Sequence, residues 1–329
     1  MSRLRLRCAA VAATGTVLLV SACGGGSSGS NQTPKQELVS SVSAVGTSDA
    51  LTTTLRLETT AAKLQALARA GGDSLSRSAA DAIASAQLVL SAKGSGNSRT
   101  FALRGIDGGS TLLELRSVGG TLYLRADLQR GFAIAHKQNI LANLRAEAAH
   151  LPNFVKAFVA GRWVSLSSDA AAAIAGQVGG GTSASPSAGP KLLNDLRDAL
   201  SKDVTVRRMG SDSRGDHLAL SGNARTLALD AEAAVATSVP GGSVLTEKAS
   251  AKDVPSRIVH LDAWVKDGAL HVLSLDLAQF AKPGEVPAGT TLPITMTFEQ
   301  TAADISAPGG ATPVDLTQLG TLLGALGGM

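Results

Sequence analysis

"LLELRSVGGTLYLRADL", Leu112 to Leu128, is the stretch on which the fold reading turns. Leu113, Leu115, Leu122 and Leu124 alternate with Glu114, Arg116, Tyr123 and Arg125 on either side of Gly119 and Gly120. A period of two around a glycine pair predicts a hairpin with one apolar and one polar face. An apolar sheet face must be covered. "KQNILANLRAEAAHLPNFVKAFVAG", residues 137–161, supplies apolar residues at helical spacing with a break at Pro152, and is the natural cover.

The same vocabulary runs through the chain. "TTTLRLETT" from Thr52 predicts a strand, Ala-rich segments from Ala61 and Ser76 predict helices, and further strands follow up to "RWVSL" at Leu166. After the Gly/Ser/Pro run "GGGTSASPSAGP" the order recurs: a helix from Pro190, strands "VTVRRMG" and "DHLALSG", a helix from Ala224, the hairpin "VHLDAWVKDGALHVLSLDL" from Val259 to Leu277, and the strand "TLPITMTFEQ". The two hairpins form an approximate repeat, strand, Gly-containing turn, strand, Asp-Leu, with one extra residue between turn Gly and Asp in the second. A one-residue slip exchanges sheet faces. The expected class is α+β: a curved antiparallel sheet, or half-barrel, wrapped around covering helices, built as one enlarged unit or as two similar lobes. Strand alternation nominates Leu113, Leu115, Leu122, Leu124, Val259, Leu261, Leu273, Leu275, Ile294 and Met296 as the lining of an apolar pocket, with a closed dry core as the alternative.

The N-terminus adds a location. "MSRLRLR", an uncharged apolar run from Cys8 to Leu19 and the small residues before Cys23 have the layout of an export signal. The run is too short to span a bilayer as a helix. The stretch around Ser21, Ala22 and Cys23 resembles the lipobox of bacterial lipoproteins, a resemblance that implies Cys23 as the lipidation site; the alternative is cleavage nearby with Cys23 left as a free thiol. The expected organisation is signal 1–22, Gly/Ser tether 23–37, first α+β lobe 38–178, linker 179–189 and second α+β lobe 190–329. Removal of the signal takes away Arg3, Arg5 and Arg7 and lowers the formal charge from +4 to +1, which argues against nucleic-acid binding. Aromatic residues are only 3%, so stacking sites for sugars or bases lose ground. The Leu-rich tail, with Asp315 as a helix cap and Gln318 three residues on, is expected to dock on the body.

Catalytic and metal chemistry find no support. His136, His150, His217, His260 and His271 lack the spacing of a helical zinc pair, and no G-x-S-x-G elbow occurs in the folded body. Asp127, Asp262, Asp267 and Asp276 fall on strands or turns, where Asp commonly supports a turn. The glycines of the tether match G-x-G-x-x-G without the strand and helix that the dinucleotide fold requires. Trp163 and Trp264 sit in apolar strand patterns as core anchors. No cofactor, metal or catalytic residue is expected, and the chain is read as a non-enzyme.

The order lipobox, tether, "ELRSVGGTLYLRADL", "GRWVSL", "HLDAWVKDGALHVLSLDL" and "ITMTFEQTAADISAPGGATPVDL" resembles the LppX/LprG lipid-carrier lipoproteins of the actinobacterial envelope and, more distantly, LolA-type carriers. The second hairpin and a late strand ending in "ISAP", where Pro308 would stop pairing, carry most of the likeness. The resemblance implies a lipid or other lipophilic ligand held between sheet and helices in a protein tethered to the extracytoplasmic membrane face by Cys23. The alternative is a structural or regulatory envelope lipoprotein acting through protein contacts, with no ligand cavity.

Overall fold

The computed structural model describes residues 32–94, 99–148, 151–167, 198, 201–238, 254–281, 286–287 and 289–315. The signal, Cys23, most of the tether, the linker 179–189, His150 and the tail from 316 lie outside the described residues. Helix α1 (Pro34–Gly46) leads into β1 (Ala50–Leu57), α2 (Ala61–Ala70), α3 (Arg77–Ser85), β2 (Gln87–Lys93), β3 (Thr100–Asp107), β4 (Ser110–Val118) and β5 (Thr121–Ala126). Next come α4 (Leu128–Ile134), α5 (Gln138–Ala148), α6 (Asn153–Val159) and β6 (Val164–Leu166). The second half gives β7 (Val204–Asp212), β8 (Gly215–Asn223), α7 (Ala224–Ser238), β9 (Ile258–Lys266), β10 (Ala269–Asp276), β11 (Pro293–Glu299) and β12 (Thr312–Pro313).

Both halves enter one curved sheet of 12 strands, ordered β12-β6-β5-β4-β3-β2-β1-β11-β10-β9-β8-β7. The halves meet where β1 pairs antiparallel with β11, from Thr52 opposite Glu299 to Leu57 opposite Ile294. All pairs are antiparallel except β12 with β6. The hairpin turns follow from local chemistry: Gly119 and Gly120 have φ of 57° and 76°, and Asp267 and Gly268 have 52° and 76°. Two successive positive φ values make the turn whose twist matches paired strands, which glycine and aspartate tolerate. The extra residue of the second hairpin is absorbed by a bulge on β10 between Leu270 and Val272, so Leu273 and Leu275 still point with Leu261.

Helix α1 starts inside the stretch read as tether. Thr33 and Gln36 form a reciprocal capping box with Pro34 in the first turn, enough to begin a helix directly after Gly/Ser-rich sequence. Its Leu38 and Val45 are 1% and 0% exposed and pack with Leu51, Leu218, Leu220, Ala263, Leu270 and Phe298. A second core forms at the other end of the sheet, where Phe154 and Ala157 of α6 meet Val164 and Leu124.

The expected strand through "ISAP" is not a strand. β11 ends at Glu299, and residues 300–311 leave the ladder and cross the polar face of the sheet as an extended strap. The strap's contacts follow one register row. Thr52 donates to Thr301 O at 2.8 Å, Arg116 Nη1 donates to Ser306 O at 3.0 Å, and the chain then pairs with β6 through Thr312 N to Trp163 O at 2.9 Å. Seven strand spacings from β11 to β12 are about 34 Å, and twelve extended residues reach about 40 Å, so the strap fits with little slack. Ile305, 7% exposed, is its buried anchor. Ile305→Ala is expected to cost about 2–4 kcal/mol in urea unfolding, while Asp304→Asn, at an exposed neighbour, leaves the midpoint unchanged.

Candidate functional site

Register fixes which side chains share a face. One line runs Leu113, Gly105, Leu88, Leu55, Met296, Leu273, Ala263 and Leu218 across eight strands. A parallel line runs Leu57, Ile294, Leu275, Leu261 and Leu220. A third runs Leu124, Leu115, Leu103, Leu90, Thr53 and Phe298. All ten residues nominated from the sequence therefore lie on one face, the one that α1 and α6 cover at its two ends.

Their burial is uneven. Leu218 and Ala263 are 0% exposed within the packing around α1, and Val259 is 2% exposed. Between that core and the α6 core, Leu55, Leu57, Leu88, Leu90, Leu103, Leu115, Leu275 and Ile294 are only half-buried, and Leu113 is 43% exposed. Leu261, Leu273 and Met296 border the α1 core and are half-buried as well. Central strands of a closed sheet should bury their apolar side chains best. Here they form a band of incompletely covered aliphatic surface from β4 to β10, roughly 24 Å across five strand spacings. Sequence reading found the two ends of this band but not its middle on β1, β2 and β3, although the alternation of Leu55 with Leu57 was visible.

At the β4 end the band meets a groove of about 530 Å³ whose walls include Leu113, Ser110, Thr111, Asp127, Gln129, Arg145 and Val159. Leu113 belongs to both groove and band. It is the one nominated residue in the groove wall; the other nine lie elsewhere on the face.

The opposite face carries charge in fixed places. Glu114, 3% exposed, binds Arg116 through Oε1 at 2.8–2.9 Å and Arg125 through Oε2 at 2.8–3.1 Å. Both guanidinium groups lie 4.9 Å from the Trp163 ring centre, so Trp163 is a platform for two cations, not only an apolar anchor. At the other end Trp264, 4% exposed, stacks on His217 at 4.6 Å, lies 3.7 Å from the Arg214 guanidinium carbon and donates to Asp212 at 3.0 Å. Hydrogen bonds from the Arg214 side chain and backbone, aided by Trp264, pull the Asp212 carboxyl down to about 2. On α7, burial and the neighbouring Asp203 push Asp230 up.

The residues weighed for chemistry hold elements together. Asp127 caps α4 by accepting from Arg130 N at 3.0 Å, and Asp276 accepts from Ala278 N and Leu292 N at 3.0 and 2.7 Å. Asp262 pairs with His217 at 2.7 Å, Asp267 occupies the positive-φ turn, and His271 Nδ1 donates to Phe298 O at 3.2 Å. His136 meets Ser78 at 2.6 Å, and the His260 backbone N–H donates to Gln279 at 2.7 Å. Asp107, which no sequence signal marked, accepts from Ser85 and from Arg130 at 2.9 and 3.1 Å, fastening α3 and α4 to the β3–β4 turn. Among the described residues, no group of three His, Cys, Asp or Glu side chains could hold a metal ion, and no helix is long and apolar enough to cross a membrane.

Two outcomes follow from the polar face. Glu114→Gln leaves two guanidiniums without a carboxylate and is expected to cost about 2–3 kcal/mol, below the figure for a fully buried pair because both arginines keep contact with water. Urea unfolding measures it; an unchanged midpoint would show that the triad contributes nothing. Asp212 has a depressed folded-state value, so its contribution is present above pH about 4 and is lost as pH falls towards about 2. The stability difference between wild type and Asp212→Asn should therefore be constant from pH 5 to 7 and shrink below about pH 4; a difference that grows on acidification would contradict this assignment.

Comparison with protein-family models finds no match, and neither does comparison with curated protein sequences. Among solved structures the chain is similar to the Mycobacterium tuberculosis lipoprotein LppX, with a TM-score of 0.34 and 11% identity over 83% of this chain and 98% of that one.

Proposed function

We propose that this chain is a cell-envelope lipoprotein, anchored on the extracytoplasmic membrane face through Cys23, that holds the apolar part of a lipid or other lipophilic molecule against the aliphatic band. The observation that carries the reading is the band itself: half-buried Leu, Ile and Met side chains on the middle strands of the sheet, between two packed cores. Leaving such surface in water costs about 25 cal/mol per Å², and a bound acyl chain would recover it. No aromatic or charged side chain from the register lines interrupts the band between Leu113 and Leu275, which suits a flexible aliphatic ligand better than a flat or polar one. The anchor supports the same reading, because two or three acyl chains on one cysteine give durable attachment where a single chain is marginal.

Purified full-length chain, extracted and examined by mass spectrometry, should release a stoichiometric lipophilic compound. Leu88→Gln with Ile294→Gln, both at half-buried sites, should reduce that yield by at least tenfold while the fold persists by circular dichroism. A clean extract from the folded wild type would remove the ligand reading and leave an envelope protein that works through protein contacts. Cys23→Ala should move the protein from the membrane to the soluble fraction; unchanged fractionation would contradict the anchor without touching the ligand site.

A further inference from the structure

The face of the sheet opposite the aliphatic band holds more positive charge than it neutralises. Register places Thr54, Val89, Arg104, Glu114 and Arg125 in one row, with Arg104 directly across from Glu114. Three arginines thus share the face with one carboxylate, since Arg116 stands two residues along β4 from Glu114 on the same side. Glu114 is saturated: Oε1 accepts from Nε and contacts Nη2 of Arg116, and Oε2 accepts from Nε and Nη2 of Arg125. A carboxylate offers about four lone-pair sites, so nothing is left for Arg104. Among the described residues Arg104 has no hydrogen-bond or ion-pair partner, and its Nε–H is shut off from water with no acceptor.

A buried N–H without an acceptor is costly, and more so on a cation that two other cations repel. Such a group is retained at a cost to folding unless something meets it. Arg116 has a further tie to the strap through Ser306 O, which fixes it in place, while Arg125 holds Glu114 through Nε and Nη2 only and keeps Nη1 for another acceptor. The sum over Arg104, Arg116, Arg125 and Glu114 is two positive charges, presented as planar forks on a rigid sheet.

We propose that this face carries an oxyanion site centred on Arg104 and flanked by Arg125 and Arg116, and that its ligand is a phosphate group. Phosphate brings up to two negative charges and several acceptor oxygens, which guanidinium forks bind in pairs. A carboxylate would satisfy one fork and leave the charge excess half-neutralised. Arg104, Glu114 and Arg116 lie on the sheet face away from the aliphatic band, while Arg125 also lines the groove that Leu113 borders; the proposal does not rest on the lipid reading, and its test stands separately. The phosphate has two possible sources, a free anion or a membrane headgroup.

The two tryptophans of this chain give a direct readout. Inorganic phosphate is titrated into the full chain carrying Cys23→Ala, at constant ionic strength with chloride as the balancing anion. The Trp163 indole and the arginine Nε–H signals are followed by ¹H–¹⁵N NMR. A saturable shift at Trp163 with Trp264 unmoved is expected, weakened at least tenfold by Arg104→Gln and kept by Arg207→Gln, an exposed arginine on β7. Since Arg104 has no partner to lose and its buried Nε–H costs folding, the Gln variant should unfold at or above the wild-type urea midpoint. Vesicles then separate the sources. Sedimentation with phosphatidylcholine vesicles containing phosphatidic acid, but not with phosphatidylcholine alone, and lost in Arg104→Gln, would assign a headgroup; phosphate binding without vesicle binding would assign the free anion. Absence of a saturable shift in the folded chain, or a shift that Arg104→Gln leaves intact, overturns the proposal.

Discussion

The ladder between β1 and β11 is the interaction on which the molecule depends. It joins segments about 240 residues apart and turns two sets of strands into one sheet. The aliphatic band crosses this seam, with Leu57 opposite Ile294 and Leu55 opposite Met296. Joined, the halves present a face that α1 packs against at one end and α6 at the other, with half-buried aliphatic side chains between the two cores. Pairing of this sequence separation carries a large loop-closure cost and is slow to form.

Two devices oppose that cost. α1 docks on strands from the second half while being covalently continuous with β1 of the first, so its burial of Leu38 and Val45 rewards closure of the seam. The strap does the same from the other side. It leaves β11, crosses β1 to β5 and adds β12 in parallel beside β6, which also covers one end of the sheet. An open sheet edge is a hazard for aggregation, and a short capping strand that ends in proline blunts it. Helices on one face and a strap on the other therefore brace the same seam, and the strap leaves the aliphatic face free.

Strands and hairpins were legible because their signals are local: a period of two, and glycine or aspartate where φ must be positive. The resemblance to the lipid-carrier lipoproteins implied a curved antiparallel sheet around helices, and that arrangement is present. The one-residue mismatch between the hairpins was legible as a problem and became a bulge at His271, which keeps Leu273 and Leu275 on the apolar face. Thr33, Pro34 and Gln36 spelled a helix start but stood beside Gly/Ser-rich sequence that masked it. The strap was misread because "ISAP" follows an alternating strand, and alternation does not say where pairing ends. Burial of Glu114 had no local signal at all: it depends on two arginines and a strap brought to it by the fold.

The central claim is that the middle of the apolar face is open to an aliphatic ligand while both ends are closed. Methyl-resolved NMR with an added saturated fatty acid tests it residue by residue. The account predicts saturable shifts at the methyls of Leu55, Leu88, Leu275 and Ile294 and unmoved signals at Leu38, Leu51 and Leu218, which sit at 0–2% exposure. Unmoved signals across all seven would contradict it, because they would mean the half-buried band admits no chain.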